Sequence, residues 1–198
     1  MAGGTQFTFE FDEVSIANIE RRLGTMREKA PTVLSRALND TAKQARTDLA
    51  NKAQETYAVK VGGLAKYVRI KNASAGSLEA ILKVSGAHLP LTQKNFSVQG
   101  GKGPRGSHLR TTVLRGRTHT WGPRAFNNVL GGSGHKGTAE FIGGDPSQPS
   151  RLHLKTLFTV SIPQMIGSEE KVYGVVEPHI LENLRNNVER HISVILGG

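Results

Sequence analysis

Phe7, Phe9 and Phe11 alternate with Thr8 and Glu10, the period of two that marks a half-buried strand. The period then changes. Ile16, Ile19, Leu23 and Met26 recur at spacings of three and four, which predicts one apolar stripe on a helix, with Asp12 or Ser15 placed to cap its start. Pro31 disfavours helical backbone at Ala30 but suits a first helical position, so a second helix is expected from Pro31 to about Tyr57. Leu34, Leu38, Ala42, Ala45, Leu49 and Ala53 share one face of it, and Arg36, Lys43, Arg46 and Lys52 take the others. The alanines allow a neighbouring helix to approach closely.

Beyond this helix, KYVRIKN and SLEAILKVSG are rich in strand-forming residues and are separated by ASAG, which predicts a hairpin. From Gly86 to Gly137 only short strand-like pieces remain, LRTTVL and AFNNVL, set among glycine clusters. Loops beyond about 12–15 residues are uncommon inside compact domains, so an extended arm, partly hairpin, is expected over 92–138. TAEFIGG reads as a returning strand. A proline-punctuated segment, DPSQPSRLHLKTLFTVSIPQMIG, leads to Ser168, Glu169 and Glu170, a capped start for a closing helix. Val172, Val176, Ile180, Leu184, Val188 and Ile192 keep the helical period there. Gly174 and Pro178 interrupt it, predicting a kink, or a short helix before a longer one. The expected fold is α+β: long helices packed on a small, mostly antiparallel sheet, with a long basic Gly-rich hairpin or arm and a C-terminal helix, in a single domain over 1–198.

Charge changes this picture more than composition does. The net charge is +10, and residues 80–139 hold 9 basic and no acidic side chains, against 12 and 9 in residues 1–79 and 5 and 7 in residues 140–198. Such a block repels itself unless it is solvated or faces an anionic partner. At 37% apolar residues the core is modest, leaving surface for other uses. With no cysteine there is no disulfide framework, thiolate metal site or thiol nucleophile. No apolar run approaches the roughly 20 residues that cross a bilayer, and MAGGTQFTFEF lacks the order of a signal peptide, so a soluble protein made in the cytoplasm, with no membrane partner, is expected.

Candidate chemistry is sparse. In GGSGHKGT (Gly131–Thr138) Lys136 precedes a glycine and a strand-like run, not the Ser/Thr and helix of a phosphate-binding loop. GGKGPRGS has Pro104 in the wrong place for that role. His119 and His135 invite a metal-dependent nuclease reading, but helical His-x3-His spacing is absent and the basic block supplies no carboxylate ligand. Gly-x-Ser-x-Gly is absent too. No catalytic, metal or cofactor residue is assigned, and a non-enzymatic protein is expected. The candidate contact residues are cations and one aromatic: Lys102, Arg105, Arg110, Arg115, Arg117, Trp121, Arg124 and Lys136. Pairing with phosphates, with Trp121 or Phe126 stacking on bases, would give sequence-independent nucleic-acid binding. Equally, the arm could clasp another subunit, with Trp121 as a packing anchor.

Two stretches resemble a known family. LSRALNDTAKQARTDLANKAQETYAVKVGGLAKYVRIKNAS (Leu34–Ser74) is similar to the early helix, linker and strand of the minor tail protein Z family of long-tailed bacteriophages and prophages, also described as tail completion proteins. SRLHLKTLFTVSIPQMIGSEE (Ser150–Glu170) resembles that family's late Ser-Val/Ile-Pro-Gln-Met signature and closing helix, with HLPL and AEFIGG between them in the family's order. The likeness spans roughly residues 15 to 195 and rests on structural residues. The middle, rich in Thr, His and Asn, departs from it. The resemblance implies a virion structural protein at the head-proximal end of the tail. It would form a ring, expected to be a hexamer, with the tail terminator and with neck and head-completion proteins, and allow head–tail joining, with genomic DNA in the lumen as a candidate partner. Before assembly it would reside in the host cytoplasm.

Overall fold

The structure is a computed structural model that describes residues 4–60, 62–101, 108–130, 135–144 and 153–197. It is an α+β fold. The single domain expected from the sequence divides into two compact units, one made of residues 1–53, 64–86 and 163–198, the other of residues 54–63 and 87–162.

Unit 1 begins with β1 (Thr5–Glu10), whose Phe7 and Phe9 are buried as the alternation requires. β1 pairs antiparallel with β3 (Glu79–Val84), which pairs on its other side with β2 (Val68–Lys71), in the order β1-β3-β2. α1 (Glu13–Leu23) starts at Asp12, whose carboxylate accepts from the Ser15 amide at 2.8 Å, and stops at Gly24 with φ 55°. The helical stripe does not extend to Met26, which lies in a 3-10 turn and is partly exposed. The left-handed Gly24 ends the helix before the apolar spacing does.

α2 (Ala30–Thr56) carries Pro31 in its first turn, as expected. Its buried face follows the predicted stripe and adds Val33, Ala37 and Thr41. One core cluster joins Ile19 and Leu23 of α1 to Val33, Leu34 and Ala37 of α2 and to Val188 and Ile192 of the last helix. Ser168 does not cap that helix. Its carbonyl accepts from the amides of Val172 and Tyr173 in a turn, and α4 runs Tyr173–Gly197 as one helix with Pro178 inside, after a short α3 (Ile162–Ile166). Gly174 has a reason: a Cβ there would overlap the Glu169 carbonyl oxygen. Tyr173 stacks on Phe7 at 4.4 Å and donates to Glu177, and burial, then that bond, push its hydroxyl up to about 12.

Ile162, Met165 and Ile166 of the SIPQMIG run are fully buried, as are Leu34, Leu38, Ala42, Ala45 and Leu49 of the early stretch.

Unit 2 is built from three small antiparallel sheets. β4 (His88–Pro90) pairs with β11 (Phe158–Ser161). β5 (Ser97–Gln99), β6 (Arg110–Leu114) and β7 (Arg117–Thr120) lie in the order β5-β6-β7. β8 (Ala125–Leu130), β9 (His135–Gly143) and β10 (His153–Thr156) form the third, ordered β10-β9-β8. Backbone bonds tie the sheets together: Leu91 N to Leu157 O at 2.9 Å, Leu157 N to Thr138 O at 3.0 Å, and Asn127 N to Gly101 O at 3.0 Å. Of the hairpin or arm expected over 92–138, the described residues form antiparallel hairpins, β5–β6–β7 and β8–β9, and not a free arm. They supply the strands β5–β9 and buried Phe96, Val98, Leu109, Thr111 and Ala125.

Candidate interaction surface

The β6–β7 hairpin is the cationic centre of the described part of unit 2. Leu114-Arg115-Gly116-Arg117 turns the chain, with Gly116 at φ 75°, a left-handed backbone that a side chain resists. The tip is anchored. The Arg115 amide donates to Thr56 O at 2.9 Å and its guanidinium Nε to Gln54 O at 3.1 Å, while Ala58 N donates to Val113 O at 2.7 Å. Gln54 and Thr56 hold the last, otherwise unpaired carbonyls of α2, where a cation is favoured. Arg115 is thus a helix-end partner.

Strand register sorts the other candidates. Across the sheet, Gln99 pairs with Arg110 and Arg110 with Thr120; Ser97 pairs with Thr112 and Thr112 with Thr118. Directly opposed residues share a face, so these six form two adjacent rows on one side. Thr112 and Thr118 link their hydroxyls at 3.0 Å. The other side packs inward through Val98 and buried Thr111. Trp121 belongs to that side. Its indole Nε1 donates to Thr111 Oγ1 at 2.9 Å, its amide donates to Leu109 O at 2.8 Å, and His119 meets its ring edge-on at 4.8 Å. The half-buried indole is used in packing.

All four residues of β7 are exposed and its outer edge has no strand neighbour among the described residues, so Arg117 and His119 reach solvent from the inward-facing side of the sheet. Arg124 is exposed in the turn before β8, where its carbonyl accepts from Phe141 N at 3.1 Å. Arg110, Arg117 and Arg124 make no ion pair with any described residue. Of the eight candidates, the structure therefore places Arg110 and Arg117 on one hairpin, with Arg115 and Trp121 as its supports and Arg124 just beyond. Lys102 and Arg105 lie outside the described residues, as does the Lys136 side chain on β9.

Sequence reasoning missed the hydroxyls of Thr112, Thr118 and Thr120 and the strand RTHT itself. The signal was present: Arg-Gly between two runs rich in Thr is a hairpin turn. Beside the hairpin, a shallow cavity of 630 Å³ is lined by His88, Trp121, Glu140, Lys155 and Phe158. His88 Nδ1 donates to Thr159 O at 2.7 Å, and Lys155 stands opposite Glu140 across β9 and β10. Among the described residues no three His, Asp or Glu side chains gather to hold a metal ion, and no helix is long and apolar enough to cross a membrane.

Compared with known proteins, the chain matches no family model, no curated protein and no solved structure.

Proposed function

We propose that this protein is a non-enzymatic virion structural subunit of a long-tailed phage or prophage, a tail completion or connector protein at the head-proximal end of the tail. Six copies would form a ring that meets the tail terminator and the neck or head-completion proteins and makes the tail competent to join a head. The observation that carries this reading is the burial of the two segments on which the family resemblance rests: Leu34–Leu49 in α2 and Ile162–Ile166 in α3 supply core positions. A motif of core residues specifies a fold, and the function is carried over from the family by analogy. The charge of unit 2 agrees with a surface meant for other molecules, since three exposed arginines there lack a carboxylate among the described residues.

Disrupting the gene in the phage that encodes it tests the proposal. Electron micrographs of the lysate are expected to show DNA-filled heads and separate tails. Normal joined particles would contradict it. Deleting 99–136 would be a poor probe, because it removes Leu109, Thr111 and Ala125 from the core of unit 2.

A further inference from the structure

We infer that the β6–β7 hairpin is a contact surface for the phosphate backbone of duplex DNA, engaged without sequence preference. Its outer side presents Gln99, Arg110 and Thr120 in one row and Ser97, Thr112 and Thr118 in the next. Every one of these side chains can donate a hydrogen bond, and none is a carboxylate. None is a large apolar residue either, whereas the centre of a protein–protein interface is built from aromatic and aliphatic anchors. Phosphate oxygens accept from this set of groups: guanidinium, amide and hydroxyl side chains make most backbone contacts to DNA.

Position adds to chemistry. β7 is an exposed edge, so Arg117 and His119 flank the rows from the opposite side, and Arg124 follows in the next turn. The block from residue 80 to 139 contains no acidic residue to compete for these cations. Because Arg115 and Val113 pin the hairpin to residues 54–58, the donors are held in place before a partner arrives, and little ordering is lost on binding. The inference does not depend on the tail proposal, which is read by particle morphology.

The test uses the full-length protein and a fluorescein-labelled random-sequence duplex, with binding followed by anisotropy between about 50 and 200 mM salt. Arg110→Gln, Arg117→Gln and Arg124→Gln are each expected to flatten the slope of log K against log salt by about 0.9. The corresponding lysine variants keep the charge and are expected to keep the slope. Thr118→Val is expected to weaken binding about threefold with the slope unchanged. Arg36→Gln removes the same charge from an exposed position of α2 and is expected to leave the slope as it was. No binding at the lowest salt, or equal flattening by Arg36→Gln, would overturn the inference. So would hairpin variants that abolish self-association in sedimentation while DNA affinity stays parental, which would make the hairpin a protein contact.

Discussion

At the scale of single residues, two charged groups are positioned for structure. Arg115 sits on the carbonyls that end α2 and is exposed, so Arg115→Ala is expected to cost about 1 kcal/mol in chemical denaturation, with loss of amide protection at the hairpin tip. An unchanged midpoint would remove its capping role. Asp40 accepts from Arg190 at 2.7 Å, from His191 at 2.9 Å and from Lys43 at 3.3 Å. Burial by itself would raise its carboxyl, but the hydrogen bonds from His191 and Lys43 outweigh it and hold it below the usual value. A carboxylate depressed in the folded state contributes stability above its unfolded value, near 3.9, and loses it as pH falls through the lower folded value. Asp40→Asn should therefore cost about 1 kcal/mol at pH 7, and the gap between variant and parent should close below about pH 4. A gap that does not narrow at all as pH falls below about 4 would contradict this assignment. The Arg22–Glu189 pair, bidentate at 2.6 Å but about half exposed, is expected to contribute only a few tenths of a kcal/mol.

At the scale of elements, what was legible in the sequence followed from period. α2 was readable because its face repeats over seven turns, and the β2–β3 hairpin because ASAG separates two strand-like runs. Where one backbone position overrode the pattern, the reading slipped. Gly24 ended α1 before Met26, and the turn at Ser168 delayed α4 to Tyr173. The basic block was the least legible. Its apparent arm conceals short strands whose pairing depends on partners far along the chain, such as Val113 with Ala58 and Leu91 with Leu157. Nor could spacing show that Arg110 and Arg117 face opposite sides of a sheet, since the register shifts between Thr112 and Leu114. Leu109 tests whether the hairpin is folded onto a core. It is fully buried, so Leu109→Ala is expected to cost 2–5 kcal/mol, within the range of about that size for core truncations. Trp121 is the sole tryptophan and bonds to Leu109 through its backbone, so its emission should shift to the red at lower denaturant in the variant. Parental fluorescence and stability would mean that the hairpin is not supported in this way.

At the scale of the whole molecule, charge is divided unequally. Unit 2 holds 11 basic and 3 acidic side chains, against 15 and 13 in unit 1. Unit 1 thus has nearly balanced charge around a helical core, while unit 2 concentrates the positive charge on small sheets. Such a distribution predicts association with anionic partners steered by ionic strength. Electron cryomicroscopy of intact particles from the encoding phage tests this account most directly. The proposal predicts six copies of the chain in a ring at the head-proximal end of the tail, with the β6–β7 hairpins lining the lumen against DNA. A particle that joins head to tail with no density for this chain, or a ring whose hairpins face outward into solvent, would contradict it.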